Sequence, residues 1–143
     1  MTGSHDEIEH RKIFQKSLSE LDNMLFWISQ YALQNGLSPK KAKDLEIASE
    51  EAITNIVRHA RTDEVLEVIV LISPTQMQVS FVDQGEAFNP LQQEPPQQDL
   101  SLEERAIGGL GILLMKKLVD HIHYERRGSS NVLSLIKKKP LQS

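Results

Sequence analysis

The sequence contains no cysteine, so disulfides, thiolate nucleophiles and cysteine-ligated metals are excluded. It also has no basic excess: 16 Lys and Arg against 20 Asp and Glu give a net charge of -4. Phosphate-backbone binding needs a basic face, so nucleic acid is not expected as a direct partner. No apolar run approaches the roughly 20 residues of a membrane span, and no signal-peptide pattern opens the chain. These absences predict a cytoplasmic protein with no membrane partner.

What remains is a globular composition. The 143 residues are 39% hydrophobic and 25% charged, which suits one domain with its own core. We therefore predict a single domain over residues 1–143. Residues 1–7 are expected to be disordered or derived from an expression vector, and no function is assigned to them.

Hydrophobic periodicity and turn residues predict the elements. A weakly signalled edge strand comes first, followed by two helices, a hairpin, a third helix and a second hairpin. Because the strands come in hairpin pairs, the sequence predicts an α+β fold. We expect a two-layer α/β sandwich whose mostly antiparallel mixed sheet is covered on one face by helices. The predicted ranges are 8–15 (strand), 20–34 and 39–60 (helices), 65–72 and 77–82 (strands), 112–119 (helix), and 122–126 and 131–136 (strands).

Three polar residues of the second helix form the first candidate site. Glu51, Asn55 and Arg58 share one side of the helix, roughly opposite its apolar arc. A carboxylate and a carboxamide oxygen one turn apart can converge on Mg²⁺, which prefers oxygen ligands. The alternative is an ordinary solvated helix face.

The second candidate is the segment Phe81-Val82-Asp83-Gln84-Gly85, in which a strand runs into an aspartate and then a glycine. Such an aspartate can accept a hydrogen bond from a ligand amino group, and the glycine lets the ligand approach the backbone. The alternative is an Asp-x-Gly turn that merely ends the strand.

The third candidate is a glycine cluster, formed by Gly108, Gly109 and Gly111, that opens into a helix. Backbone N–H groups at a helix N-terminus suit phosphate. No Lys-Ser/Thr follows, as a Walker A loop requires, and no βαβ unit surrounds the glycines. A simple hinge is the alternative.

A loop rich in proline and glutamine separates the second and third candidate sites. Residues 89–99 hold three prolines and four glutamines, which no packed helix or central strand tolerates. A long loop of this kind is often a lid or binding loop, although a plain surface excursion is equally compatible.

Taken together and in order, these motifs resemble the GHKL ATP-binding superfamily, and within it the bacterial anti-sigma-factor serine kinases. SEEAITNIVRHA resembles the N box, FVDQGEAFNP the first glycine box and IGGLGILLMKKLVD the second. HYERRGSSNVLSLIKK is similar to the closing strand pair. The resemblance spans residues 21–138, nearly the whole domain.

For the phosphate end, the resemblance implies ATP and Mg²⁺ as cofactors. Asn55 matches the asparagine that coordinates Mg²⁺, and Glu51 the glutamate that acts as general base. Gly108, Gly109 and Gly111 correspond to glycines near the phosphates.

For the base end, the resemblance implies that Asp83 accepts a hydrogen bond from the adenine amino group, with Gly85 beside the base. Ser134 corresponds to a hydroxyl that helps to hold adenine through water. Residues 91–106 fall where the family has its ATP lid. Ala87 stands where the first box often has glycine, which puts the freedom of the lid backbone in question.

The implied function is that of an ATP-binding anti-sigma regulatory factor. It would be a serine/threonine-protein kinase that phosphorylates an anti-anti-sigma partner and sequesters a sigma factor; a homodimer is left open. The alternative is a catalytically weak, ATP-dependent sequestration module. A histidine-kinase catalytic fragment fits less well, because the residues before the first helix hold no dimerisation helix pair. The five histidines show no zinc-ligand spacing, so no zinc is expected.

Overall fold

The computed structural model describes residues 7–58, 64–87, 89–92 and 111–139. Five strands and three helices lie in these ranges, together with short 3₁₀ turns at 18–20 and 90–92. Each of these strands and helices was predicted, with its described bounds shifted by two residues at most, whereas the 3₁₀ turns were not predicted. The elements are β1 (Ile8–Gln15), α1 (Leu21–Gln34), α2 (Pro39–Arg58), β2 (Val65–Ile72), β3 (Gln76–Asp83), α3 (Gly111–Leu118), β4 (His121–Arg127) and β5 (Ser130–Lys138). The last predicted residues of the second helix, 59 and 60, lie outside the described residues.

The five strands form one sheet in the order β1-β2-β3-β5-β4. Both predicted hairpins are present, and β5 inserts between β3 and β4, so that Asp83 at the end of β3 lies opposite Asn131 near the start of β5. The α+β prediction is confirmed. All four strand pairs in the described part of the chain are antiparallel, so the expected mixed character is not observed there.

The two faces of the sheet differ because side chains alternate along each strand. One face carries buried apolar side chains that pack with residues of all three helices in a single core. The opposite face carries Gln78, Ser80 and Ser134, which together with other strand residues line a shallow depression in the described part of the chain. The core-facing strand residues include Leu66, Val68, Val70, Met77, Val79, Phe81, Leu133 and Leu135.

The helix boundaries follow local chemistry. α2 starts as predicted: Pro39 is its first residue, and the Ser38 hydroxyl accepts a hydrogen bond from the Lys41 N–H at 3.2 Å. Gly36 has a φ of 98°, a left-handed conformation that favours glycine after α1. α1 begins one residue later than predicted, because a 3₁₀ turn over residues 18–20 precedes it and its N-cap is Glu20.

This arrangement brings three segments together at one end of the sheet. α3 packs against α2; α2 lies over β5 and also contacts β3, whereas α3 contacts β4. The candidate residues of α2, of the turn after β3 and of the start of α3 therefore border one region. No helix in the described part of the chain is long and apolar enough to cross a membrane.

Candidate functional site

The turn that follows β3 is organised around the carboxylate of Asp83. The Gly85 N–H donates a hydrogen bond to Asp83 Oδ1 at 2.7 Å. A Cβ atom added to Gly85 would lie only 2.8 Å from the same oxygen. The close approach of the carboxylate therefore explains the glycine at this position. Backbone conformation does not explain it, because Gly85 does not have a positive φ.

Two further side chains donate to Asp83 from distant parts of the chain. Lys16 Nζ lies 3.1 Å from Oδ1, and Asn131 Nδ2 lies 3.3 Å from Oδ2. Lys16 Nζ also contacts Glu64 Oε2 at 2.7 Å, and the Lys16 side chain has no exposed surface. Asp83 is thus a buried carboxylate with a charged partner and two neutral donors.

The same turn is fastened to the β4–β5 hairpin. Arg126 donates to the Gly85 carbonyl at 2.7 Å, and Asn131 Nδ2 donates to the Glu86 carbonyl at 2.8 Å. Gln84 Nε2 donates to the Ser130 hydroxyl, also at 2.7 Å. The first glycine box is therefore held at several backbone and side-chain positions.

A pocket opens beside this turn. Apolar side chains form part of its lining, and its polar groups include Asp83 and the Tyr124 hydroxyl, which donates to Asn131 Oδ1. A flat, mostly apolar ring with one or two polar edge groups suits such a pocket. The lining residues are Ile56, Phe81, Pro90 and Leu133, with Asp83, Gly85, Glu86, Tyr124 and Asn131.

The other part of the site lies where α2 meets the start of α3. A Cβ atom added to Gly111 would lie 2.5 Å from Glu51 Oε1, so the Glu51 carboxylate rests against the first residue of α3. Asn55, one turn further along α2, is only 7% exposed, although the sequence pattern predicted a polar helix side. The structure thus brings together Glu51, Asn55 and Gly111, whereas Arg58 is exposed.

The surroundings of Asn55 bear on whether this region could hold a metal ion. The Nδ2 atom of Asn55 is buried and has no hydrogen-bond partner among the described residues, which is costly for an amide. A half-turn of the carboxamide would present its oxygen at that position. No group of three or more His, Cys, Asp or Glu side chains that could hold a metal ion occurs in the described part of the chain. The donors described there fit a cation such as Mg²⁺ that is held largely by phosphates and water.

One predicted residue is not in this region. Ser134 pairs across the sheet with Ser80, and their hydroxyls are hydrogen-bonded at 2.7 Å on the face away from the helices. Asp83 lies on the helix face, so the expected contact of Ser134 with a bound base is corrected: the sheet separates them. Gly108 and Gly109 lie outside the described residues, as does the predicted lid apart from residues 91 and 92.

Three residues of the site were missed by sequence analysis: Lys16, Tyr124 and Asn131. Asn131 could have been found from strand alternation, because it lies two residues before the buried Leu133 and therefore faces the same side of the sheet. Ser134 is the next residue after Leu133 and faces the other side. No local pattern marks Lys16, because its partner is 67 residues away.

Comparison with known proteins agrees with this geometry. The profile of the histidine kinase-like ATPase domain family matches residues 14–137. The chain is 33% identical over 114 residues to serine/threonine-protein kinase BtrW of Bordetella bronchiseptica, covering 78% of this chain and 80% of that protein. It is 35% identical over 115 residues to serine-protein kinase RsbW of Listeria monocytogenes, covering 75% and 73%.

Solved structures share the fold. The RsbU and RsbW domains of a Mycobacterium tuberculosis protein match with a TM-score of 0.62 and 13% identity, over 93% of this chain and 33% of that one. The catalytic domain of histidine kinase ThkA matches with a TM-score of 0.54 and 12% identity, over 91% and 97%. The predicted superfamily is confirmed: the chain belongs to the histidine kinase-like ATPase domain family.

Proposed function

We propose that this chain is an ATP-dependent serine/threonine-protein kinase whose single ATPase domain spans residues 1–143. Its substrate is an anti-anti-sigma protein, and it also sequesters a sigma factor in the cytoplasm. The observation that carries the proposal is the position of Asp83, a charge-paired carboxylate that lines a pocket together with apolar side chains. The names of the relatives, which are serine and serine/threonine kinases, support the reaction class.

In this proposal the pocket takes the adenine base. Phe81, Leu133 and Ile56 offer apolar surface to the ring, and Asp83 accepts a hydrogen bond from the exocyclic amino group. Gly85 leaves the base edge free to approach the turn. A charged acceptor strengthens this hydrogen bond roughly twofold relative to a neutral one.

Asn55, with phosphate oxygens and water, would hold Mg²⁺. When bound, the ion offsets phosphate charge and so supplies part of the electrostatic stabilisation on which phosphoryl transfer depends. Gly111, at the start of α3, offers backbone next to the Glu51 carboxylate and leaves room for it. We assign Gly108 and Gly109 to the same phosphate-binding segment on sequence grounds.

Glu51 is the proposed general base. It takes the proton from the substrate serine hydroxyl as the serine oxygen forms a bond to the γ-phosphorus. The bond between that phosphorus and the β,γ-bridging oxygen breaks, and ADP leaves. A base of this kind contributes about 10²–10⁴-fold.

Phosphotransfer to a cognate partner tests the proposal. The purified chain is incubated with Mg²⁺ and γ-labelled ATP, together with each anti-anti-sigma protein encoded in the same genome. We expect label on a serine or threonine of one of them. The control replaces that residue of the partner by alanine, which should abolish labelling.

Two negative outcomes have different meanings. ATP binding without transfer to any cognate partner would favour the sequestration module. No binding of any adenine nucleotide would overturn the proposed function altogether.

A further inference from the structure

Lys16 is the most completely buried charged side chain near the pocket. It follows β1 directly, and its backbone N–H donates to the Glu64 carbonyl at 3.0 Å, next to the start of β2. Its ammonium group contacts the carboxylates of Glu64 and Asp83, at 2.7 and 3.1 Å. β1 is an edge strand, so a charge at its end reaches the centre of the sheet only through the long lysine side chain.

The ammonium group lies behind the pocket. Asp83 lines the pocket but Lys16 does not, and Lys16 Nζ lies 3.9 Å from where a Gly85 Cβ would stand. Lys16 and the Gly85 N–H share Asp83 Oδ1, whereas Oδ2 receives Asn131. Lys16 therefore acts on whatever occupies the pocket only through Asp83.

A buried carboxylate needs a compensating charge if it is to remain ionised. The exocyclic amino group of adenine is a neutral donor, so a bound base adds a hydrogen bond and no positive charge. Asn131 and the Gly85 N–H are neutral as well. Among the groups that contact the Asp83 carboxylate in the described structure, only Lys16 carries a positive charge.

We propose that Lys16 is a positioning residue that compensates the charge of the Asp83 carboxylate and holds Oδ1 in place as an acceptor, and thereby sets the selection of 6-aminopurine over 6-oxopurine nucleotides. The inference rests on the proposed function, because it assumes that a purine nucleotide occupies the pocket. The Asp83 carboxylate accepts from the 6-amino group of ATP and repels the 6-oxygen of ITP. Without the ammonium group the carboxylate is neither compensated nor held in that position, so the preference for ATP over ITP should become smaller.

Two substitutions at Lys16 and one matched control test this role. Lys16→Met removes the charge and keeps much of the aliphatic stem, and Lys16→Gln removes the charge but keeps an N–H donor. Lys40→Met is the control, because Lys40 also pairs with an aspartate, at 3.2 Å, but its side chain is 84% exposed and lies on α2. Dissociation constants for ATP and ITP are measured by calorimetry with Mg²⁺ at one pH, after thermal unfolding has shown that each variant is folded.

We expect the ATP-over-ITP preference to fall by about tenfold or more in both Lys16 variants. Lys40→Met should leave the preference unchanged. A purely structural role for Lys16 would weaken both nucleotides in the same proportion, so an unchanged ratio in both Lys16 variants would overturn the inference. If the parent chain binds neither nucleotide, the proposed function fails first, and that result is distinct from an unchanged ratio.

In the Asp83→Asn background there is no carboxylate to compensate. The Lys16→Met substitution should there change the ATP-to-ITP ratio by less than about twofold. A tenfold change in that background would also contradict the proposal, because Lys16 would then act on the base without Asp83.

Discussion

The proposed nucleotide site has two ends, the base end around Asp83 and the phosphate end around Glu51 and Asn55. The two ends differ in how their polar groups are held. At the base end, protein donors already surround Asp83, and the adjoining turn is hydrogen-bonded to Ser130 and Arg126. At the phosphate end, Asn55 has a buried amide nitrogen without a partner among the described residues, and Glu51 rests against Gly111. The base end is therefore organised by the protein itself. At the phosphate end, the described residues leave the hydrogen-bonding capacity of the Asn55 amide partly unused.

The largest expected effect falls on chemistry at the phosphate end. Glu51→Gln should lower single-turnover phosphotransfer by about 10²-fold or more, with ATP affinity close to that of the parent. Glu50→Gln, a neighbouring exposed glutamate on α2, is the control and should have little effect. Equal rates for the parent and Glu51→Gln would remove Glu51 as the base.

The next effect falls on binding at the base end. Asp83→Asn removes a charged acceptor and should weaken ATP binding by about 10²-fold in calorimetry. Asp22→Asn, in the exposed first turn of α1, is the matched control. Unchanged affinity of Asp83→Asn would contradict the assignment of Asp83 to the base.

Replacing one glycine at each end by alanine compares the two ends directly. Gly85→Ala should raise the ATP dissociation constant about tenfold, because its Cβ would lie 2.8 Å from Asp83 Oδ1. Gly111→Ala should lower turnover about fivefold and change affinity less, because its Cβ would displace the flexible Glu51 carboxylate. If Gly85→Ala and Gly111→Ala changed the ATP dissociation constant and the turnover rate in the same way, the division of the site into a base end and a phosphate end would be wrong.

The predicted lid should respond to the phosphate end. We expect amide exchange over residues 91–106 to slow when Mg²⁺ and ATP are added, as the proline- and glutamine-rich composition between the two glycine boxes suggests. The comparison nucleotide is AMP, which keeps the base and lacks the β- and γ-phosphates. Exchange that ATP leaves unchanged would contradict the lid assignment.

The smallest effect lies away from the cleft and concerns stability. Burial alone would raise the pKa of Asp44, but hydrogen bonds and charge from Lys137 and Lys40 outweigh it and hold the pKa below its ordinary 3.8. Stability from this group is therefore present above about pH 4 and lost as the pH falls through the lower folded-state pKa. In the Asp44→Asn variant, the free energy of unfolding should fall less as the pH is lowered over that range. The difference should be on the order of 1 kcal/mol or less, since the site is partly screened. A steeper acid transition in the variant would refute the ion pair's contribution.

Most of the fold could be predicted from the sequence because its cues are local. β-branched runs on either side of Ser73-Pro74 define the first hairpin, and Pro39 and Gly36 mark helix limits. The site was harder to predict. Asn55 could be assigned to α2, but its burial depends on the elements that pack around that helix. Lys16 carries no local signal. Ser134 was predicted to help hold the base, but Asn131, three residues earlier on β5, is the residue that pairs with Asp83, so Ser134 lies on the other face of the sheet.

The hydrogen bonds around the first glycine box also affect how the protein folds. Gln84 and Ser130 are 46 residues apart in sequence, and Lys16 and Asp83 are 67 apart. Contacts of such separation form late, after most loop-closure entropy has been lost. A partly folded chain therefore lacks the base site, and the nucleotide binds only the native state. ATP at 100 times its dissociation constant would then add about 2.7 kcal/mol to the free energy of unfolding, so the substrate also protects the folded kinase.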